Sequence, residues 1–193
     1  MTLLILGLVI FHGLHLVPTA PELRTGLRER LGPGIYQLLF SVASLVGLVL
    51  IVWGYGQAHG RGDGNVQLYY PPLFLRHITL ALMLPAFILL AAAYVPSRIR
   101  TAVKHPMLTA VKTWALAHLL IRGDLASVLL FGSFLAYGVF DRISVKKRGA
   151  LGPLGTATGG LIGDITAVVI GVVAYGLMVV WGHGALIGVP LLR

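Results

Sequence analysis

Long apolar runs separated by short polar segments make up most of the chain. Six runs approach the length of about 20 residues with which a helix crosses a bilayer. They cover residues 3–17, 35–53, 73–95, 106–121, 125–140 and 160–181. The pattern predicts an all-α polytopic membrane protein, with about six transmembrane helices in one bundle. Because the loops are short, we expect a single domain over residues 1–193.

Composition places this bundle in lipid. Of the 193 residues, 57% are hydrophobic and 11% are charged, and the mean hydropathy is +0.89. A soluble domain carries about 25% charged residues. The chain therefore has too little polar surface for water, and the lipid bilayer is its predicted partner. With no cysteine, disulfides, thiolate metal ligands and a cysteine nucleophile are excluded.

Basic residues are concentrated in three of the predicted loops. These loops hold ten lysines and arginines: Arg24, Arg28, Arg30, Arg98, Arg100, Lys104, Arg142, Lys146, Lys147 and Arg148. The opposite side holds four: Arg61, Arg76, Arg122 and Arg193. The positive-inside rule then predicts cytoplasmic basic loops and periplasmic termini. The net charge of +9 is explained by topology and anionic lipid, and nucleic acid is not an expected partner.

Small residues recur at a spacing of four in the last apolar run. They are Gly159, Gly163, Ala167 and Gly171, which lie on one helix face and let a neighbouring backbone approach closely. Packing within the chain is the first interpretation of this stripe. A homodimer face and a flat cofactor lying against the helix are the alternatives.

Histidines are the residues on which chemistry could depend. Of seven, five lie in or at the ends of the apolar runs, where ionisable groups indicate function: His12, His15, His77, His105 and His118. Neutral imidazole is a good axial ligand for haem iron, and histidines on facing helices can hold a haem in a bundle. The alternative is that they donate to carbonyl or hydroxyl groups between helices. His59 and His183 lie in or beside loops and are expected to be incidental.

The depth of each histidine in the bilayer limits the pairs. His15 and His105 are predicted near the cytoplasmic side, and His77 and His118 toward the other side. At 1.5 Å per residue, His118 lies about 20 Å from His105 along the helix. Depth therefore favours His77 with His118, or His15 with His105. Zinc is a weaker hypothesis, because the sequence contains no His-Glu-x-x-His motif.

Several segments resemble the NnrU family of bacterial inner-membrane proteins. They are GLHLVP at residues 13–18, the run RHITLALMLPAFILLAAAYVPSRIR at 76–100, and KHPMLTAVKTWALAHLLIRGDLASVLLFGSFLAYGVFDRIS at 104–144. The resemblance implies an inner-membrane protein linked to denitrification. The family is in turn similar to 15-cis-zeta-carotene isomerase, a membrane enzyme that uses haem b to isomerise a double bond.

That similarity implies ligand positions. His15 matches the ligand histidine of the isomerase's first conserved span, and His118 matches the second ligand, within Trp114-Ala115-Leu116-Ala117-His118. The resemblance thus implies His118 and His15 as iron ligands. His77 and His105 stay further cofactor-binding candidates because of their predicted depth. The isomerase's cysteine, which exchanges with the second histidine as ligand, is replaced here by Ala115. Ligand exchange to sulfur is therefore impossible in this chain.

The residues and the family resemblance leave three candidate functions. The leading one is a haem-b-binding isomerase or redox protein that acts on a lipid-soluble substrate. A non-catalytic membrane partner or maturation factor for nitrogen-oxide respiration is the alternative from another class. The Lys104-His105-Pro106 segment also resembles the Arg-His-Pro segment of membrane methyltransferases. Those enzymes need a later pair of glutamates, and this chain has none after residue 125.

Overall fold

The computed structural model describes residues 1–61 and 64–192, without the Arg61 side chain. The Arg61 side chain and Arg193, both counted in the charge asymmetry, lie outside the described residues. The α-helices of the described chain are α1 (Thr2–Leu16), α2 (Pro21–Leu31), α3 (Pro33–Arg61), α4 (Leu75–Ala92), α5 (Arg98–Val103), α6 (Pro106–Leu119), α7 (Leu125–Arg148), α8 (Leu161–Leu177) and α9 (His183–Ile187). A π-helical turn, Met178–Gly182, joins α8 to α9.

Membrane-spanning length is reached by five of the described helical segments. They are Thr2–Thr19, Pro33–Gly60, Leu75–Ala92, Leu125–Arg148 and Leu161–Ile187. Large apolar side chains on them are widely exposed, as at Val9 (64%) and Ile162 (83%), which suits contact with lipid. The prediction of an all-α polytopic membrane protein is confirmed. The sixth predicted span is α6, whose 14 residues cover about 21 Å of the roughly 30 Å hydrocarbon core.

Two basic segments are more helical than the hydrophobic pattern predicts. The segment between the first two spans forms α2, an 11-residue helix with Pro21 in its first turn and Gly32 after its end at φ +76°. Proline at the start and glycine past the end are common helix boundaries. Helix α7 continues past the predicted end at residue 140 to Arg148, with three basic residues in its last turn. Cations there stabilise the negative end of the helix dipole.

The chain divides into two compact units that alternate along the sequence. Unit 1 comprises Met1–Pro71 and Arg122–Tyr137, and unit 2 comprises Pro72–Ile121 and Gly138–Arg193. Each unit is therefore built from two separated segments. The expectation of one domain over the whole chain stays a prediction.

Glycines bring the first two long helices of unit 1 together. Helix α1 packs along α3, and a Cβ atom on Gly7 would lie 2.6 Å from the Ile51 nitrogen. On α3, a Cβ atom on Gly47 would lie 3.1 Å from the Phe11 nitrogen. The two backbones approach so closely because neither glycine carries a side chain.

In unit 2, α4 packs against both α6 and α8. A Cβ atom on Gly171 would lie 2.5 Å from the Ile88 Cα atom, and one on Gly159 or Gly163 would overlap the Pro96 carbonyl. Ala167, between them on the same face, is fully buried. The small-residue stripe of α8 therefore packs within unit 2, as its first interpretation predicted.

Candidate functional site

The first candidate ligand, His15, lies on α1 in unit 1 among aromatic rings. Its ring stacks on Phe11 at a centroid distance of 4.1 Å and lies 5.3 Å from the Phe40 ring. Its Nδ1 atom is 2.7 Å from the Phe11 carbonyl oxygen, one helical turn earlier. The Tyr137 hydroxyl donates to the His15 carbonyl at 3.0 Å. The ring is thus held in place within an apolar environment.

The second candidate, His118, lies in the last turn of α6 in unit 2 and is half-buried. Its Nδ1 atom is 2.8 Å from the Trp114 carbonyl oxygen, again one turn earlier. The Trp114 ring lies 5.4 Å away at a tilt. His15 and His118 therefore share the same local hydrogen bond to their own helix.

This hydrogen bond determines which nitrogen of each ring carries the proton. A carbonyl oxygen only accepts, so the Nδ1 atom facing it must be the donor. A neutral ring has one N–H group, and the lone pair then resides on Nε2. Histidine ligands of metals commonly have this arrangement, with the other nitrogen fixed by a carbonyl. Both residues therefore present the tautomer that can ligate iron through Nε2.

His12, three residues before His15, has the opposite tautomer. The Ser133 hydroxyl donates to the Leu130 carbonyl at 2.9 Å, so its oxygen accepts from His12 Nε2, which is 3.2 Å away. The lone pair of the His12 ring is then on Nδ1, which is buried and receives no hydrogen bond from the described residues. Of the two histidines on α1, only His15 has its lone pair on Nε2, the atom through which it could ligate a metal.

The other two candidates fit a ligand role less well. Thr79 of α4 donates to the Ala117 carbonyl of α6 at 2.8 Å, so Thr79 faces α6. His77, two residues earlier, is about 200° round the helix and is exposed. His77 thus lies near the level of His118, as depth predicted, but on another face of α4.

His105 is half-buried at the residue before α6. Its carbonyl accepts from the Thr109 hydroxyl at 3.2 Å. Burial and then the positive charge of Arg142 lower the pKa of His105, against the opposing effect of Asp141. His105 thus contributes to the start of α6. The ligand roles assigned to the four candidate histidines stay predictions. Among the described residues, no three histidine or acidic side chains cluster as a multi-ligand metal site.

A polar network in unit 1 was missed by the sequence interpretation, which treated His59 as incidental. His59 Nε2 is 3.2 Å from the Asp124 carboxylate, and its Nδ1 is 2.9 Å from the Tyr55 carbonyl. Asp124 accepts from the Ser127 backbone at 3.0 Å and from the Ser127 hydroxyl at 2.7 Å, and these hydrogen bonds cap the start of α7. His59 and Asp124 are 65 positions apart, so no local motif could have revealed the pair.

Opposing effects act on the Asp124 carboxyl group. Burial raises its pKa, but hydrogen bonds from Ser127, the nearby His59 and a hydrogen bond from Asn65 together lower it below the ordinary value of 3.8. A depressed folded-state pKa stabilises the fold above the unfolded-state pKa. That contribution is lost as the pH falls below 3.8 and through the folded-state pKa.

We therefore expect Asp124→Ala to reduce the free energy of unfolding at pH 7 by about 1–3 kcal/mol, because a helix cap and a buried network are lost. Thermal unfolding of detergent-purified protein between pH 7 and pH 3 measures the difference. The gap between wild type and variant should narrow below pH 3.8. Glu29→Ala, which removes an exposed carboxylate on α2, is the control. Equal stability of Asp124→Ala and Glu29→Ala at pH 7 would contradict this role for the network.

Apolar helices of spanning length, with exposed apolar side chains and histidines inside them, define the class: a multi-pass α-helical membrane protein. Within that class, the chain belongs to the NnrU family. The family model described as NnrU protein matches residues 3–191, nearly the whole chain, and confirms the resemblance. No curated protein and no solved structure matches the chain.

Proposed function

We propose that this NnrU-family protein binds haem b in the bacterial inner membrane and acts on a lipid-soluble substrate, as an isomerase or redox protein linked to denitrification. The observation that carries the proposal is the shared tautomer of His15 and His118, each with Nδ1 on the carbonyl one turn earlier. Each ring can offer a neutral Nε2 donor atom to iron. The pairing of the two residues rests on the family resemblance alone.

The positions of the two rings support the proposal. Both lie in apolar runs, where ionisable residues often mark functional sites. Bound haem b would supply redox or Lewis-acid chemistry. The chain's own residues orient the rings through the Phe11 and Trp114 carbonyls. Phe11 stacks on His15 and covers one face of that ring.

An absorption spectrum of detergent-purified protein tests the proposal. A Soret band that shifts on reduction is the expected result. A colourless preparation with correctly folded chains, expressed with sufficient haem, would contradict it. That outcome would favour the alternative, a non-catalytic partner or maturation factor for nitrogen-oxide respiration. Binding of S-adenosylmethionine by the colourless protein would instead favour a membrane methyltransferase.

The orientation of the chain is also part of the proposal. The ten basic residues on one side predict that a reporter fused after Lys147 reports a cytoplasmic location and one fused after Arg193 a periplasmic location. Paired alkaline phosphatase and green fluorescent protein fusions at both sites measure this. Reversed signals at the two sites would show that the orientation is wrong.

A further inference from the structure

An open cavity of about 440 Å³ lies in unit 1, beside α2 and the start of α3. Arg24 and Arg28 of α2 line it, together with polar side chains of α3 and the ring of Phe40. Its volume is within the usual range for small-molecule sites, roughly 300–1,000 Å³. None of its lining residues is acidic.

Helical spacing explains how the sequence builds this cavity. Arg24 and Arg28 are four residues apart, so they lie on one face of α2. Gly32, at φ +76°, lets the chain turn from α2 directly into α3, which begins at Pro33 and packs against α2. On α3, the lining residues again fall in pairs four apart: Tyr36 with Phe40, and Gln37 with Ser41. Two helix faces thus meet around one polar space.

The chemistry of the lining indicates an anion. Two guanidinium groups supply forked donors that match phosphate and carboxylate oxygens. The Tyr36 and Ser41 hydroxyls and the Gln37 amide can add further donors. Phe40 and Pro18 supply an apolar part of the wall. The cavity lies at the first three turns of a spanning helix, near the level at which lipid headgroups meet basic residues.

We propose that this cavity binds the acid group of a membrane amphiphile, through Arg24 and Arg28. Two sources offer the same chemistry. One is the phosphate of an acidic phospholipid. The other is the propionate carboxylates of haem, because Phe40 both lines the cavity and lies 5.3 Å from the His15 ring. The second source rests on the proposed function, and the first does not.

The lipid arm of the test uses the full chain in neutral detergent. Wild type and the double variant Arg24→Gln/Arg28→Gln are titrated with phosphatidylglycerol and with phosphatidylcholine, and bound lipid is counted by native mass spectrometry. Arg30→Gln is the matched control, since Arg30 is on the same helix and does not line the cavity. All three arginines are exposed, so the variants should fold. Their melting temperatures without added lipid check this. If phospholipid is the source, the double variant should bind phosphatidylglycerol about 10- to 30-fold more weakly.

The haem arm titrates the same proteins with haem b and with its dimethyl ester, in which both propionates are blocked. Weaker binding of haem b, but not of the ester, by the double variant would identify propionate as the source. A loss confined to phosphatidylglycerol would identify phospholipid, and either loss supports the site. The proposal is overturned if the double variant matches the affinity of wild type in both arms. It is also overturned if Arg30→Gln loses as much affinity as the double variant. If wild type binds no haem, the proposed function fails, and the lipid arm alone decides on the cavity.

Discussion

His118→Ala is expected to purify as a folded protein that has lost most of its haem. Alanine is the strongest helix former, so α6 should persist, and the variant removes the Nε2 donor atom that the carbonyl of Trp114 orients. Changing residues that only support a metal ligand commonly costs 10- to 100-fold in affinity. We expect removal of the ligand itself to weaken haem binding at least tenfold. The ratio of Soret to protein absorbance measures the loss, with circular dichroism as the check on folding.

His183→Ala is the matched control for this experiment, because its Nδ1 also faces a backbone carbonyl, that of Val189 at 2.6 Å. It should retain the haem of wild type. His15→Ala should lose haem, and His77→Ala should not, because His77 is exposed on a face of α4 other than that of Thr79. Unchanged occupancy and an unchanged spectrum in His118→Ala would show that the ligand assignment is wrong. If His77→Ala loses haem and His15→Ala retains it, the second ligand is His77 and not His15.

Gly163→Leu is expected to reduce stability strongly. A Cβ atom at this position would overlap the Pro96 carbonyl, and a backbone atom cannot move away as a flexible side chain can. Overpacking of a well-packed core usually costs about 1–3 kcal/mol. The melting temperature in detergent, measured by loss of monodisperse protein on heating, should fall accordingly. The yield from membranes should fall with it.

The control for this variant is Gly176→Leu, on the same helix. A Cβ atom on Gly176 would have nothing within 4 Å, so the same substitution there gains helix propensity without a clash. Gly176→Leu is therefore expected to match or exceed the stability of wild type. Equal stability of the two variants would mean that α8 and the Pro96 segment are not closely packed. A Gly163→Leu variant that stays stable but becomes monomeric would instead reveal a homodimer face.

The hydrophobic pattern predicted where the long helices of this fold lie. Each of the six apolar runs contains a helix, because an apolar backbone segment in lipid must satisfy its hydrogen bonds internally. Five of the six reach spanning length in the described chain, and α3 continues to Arg61, past its predicted end at residue 53. The segment that forms helix α2 was predicted as a loop. Its boundaries depend on Pro21 and Gly32, signals that hydropathy does not register. The length of α7 was underestimated for a related reason, since its polar end leaves the apolar run and remains helical.

The sequence identified the candidate histidines, but it could not predict which nitrogen of each ring carries the proton. Histidines within apolar runs can be found by inspection, and sequence spacing places both His12 and His15 on one face of α1. The tautomer of His12 differs because of Ser133 and Leu130, which are more than 115 positions from His12 along the chain. The Asp124 network is similarly non-local. Such contacts follow from tertiary packing, which no local pattern encodes.

The most direct test of the central claim is an iron and haem count on purified wild-type protein, with an electron paramagnetic resonance spectrum of its oxidised form. The protein should carry haem b in near-stoichiometric amount, as low-spin iron with two imidazole ligands. If the wild-type protein is folded and monodisperse but contains no iron after expression with added haem precursor, haem binding is contradicted. A haem signal that persists unchanged when both His15 and His118 are replaced by alanine would also contradict the account.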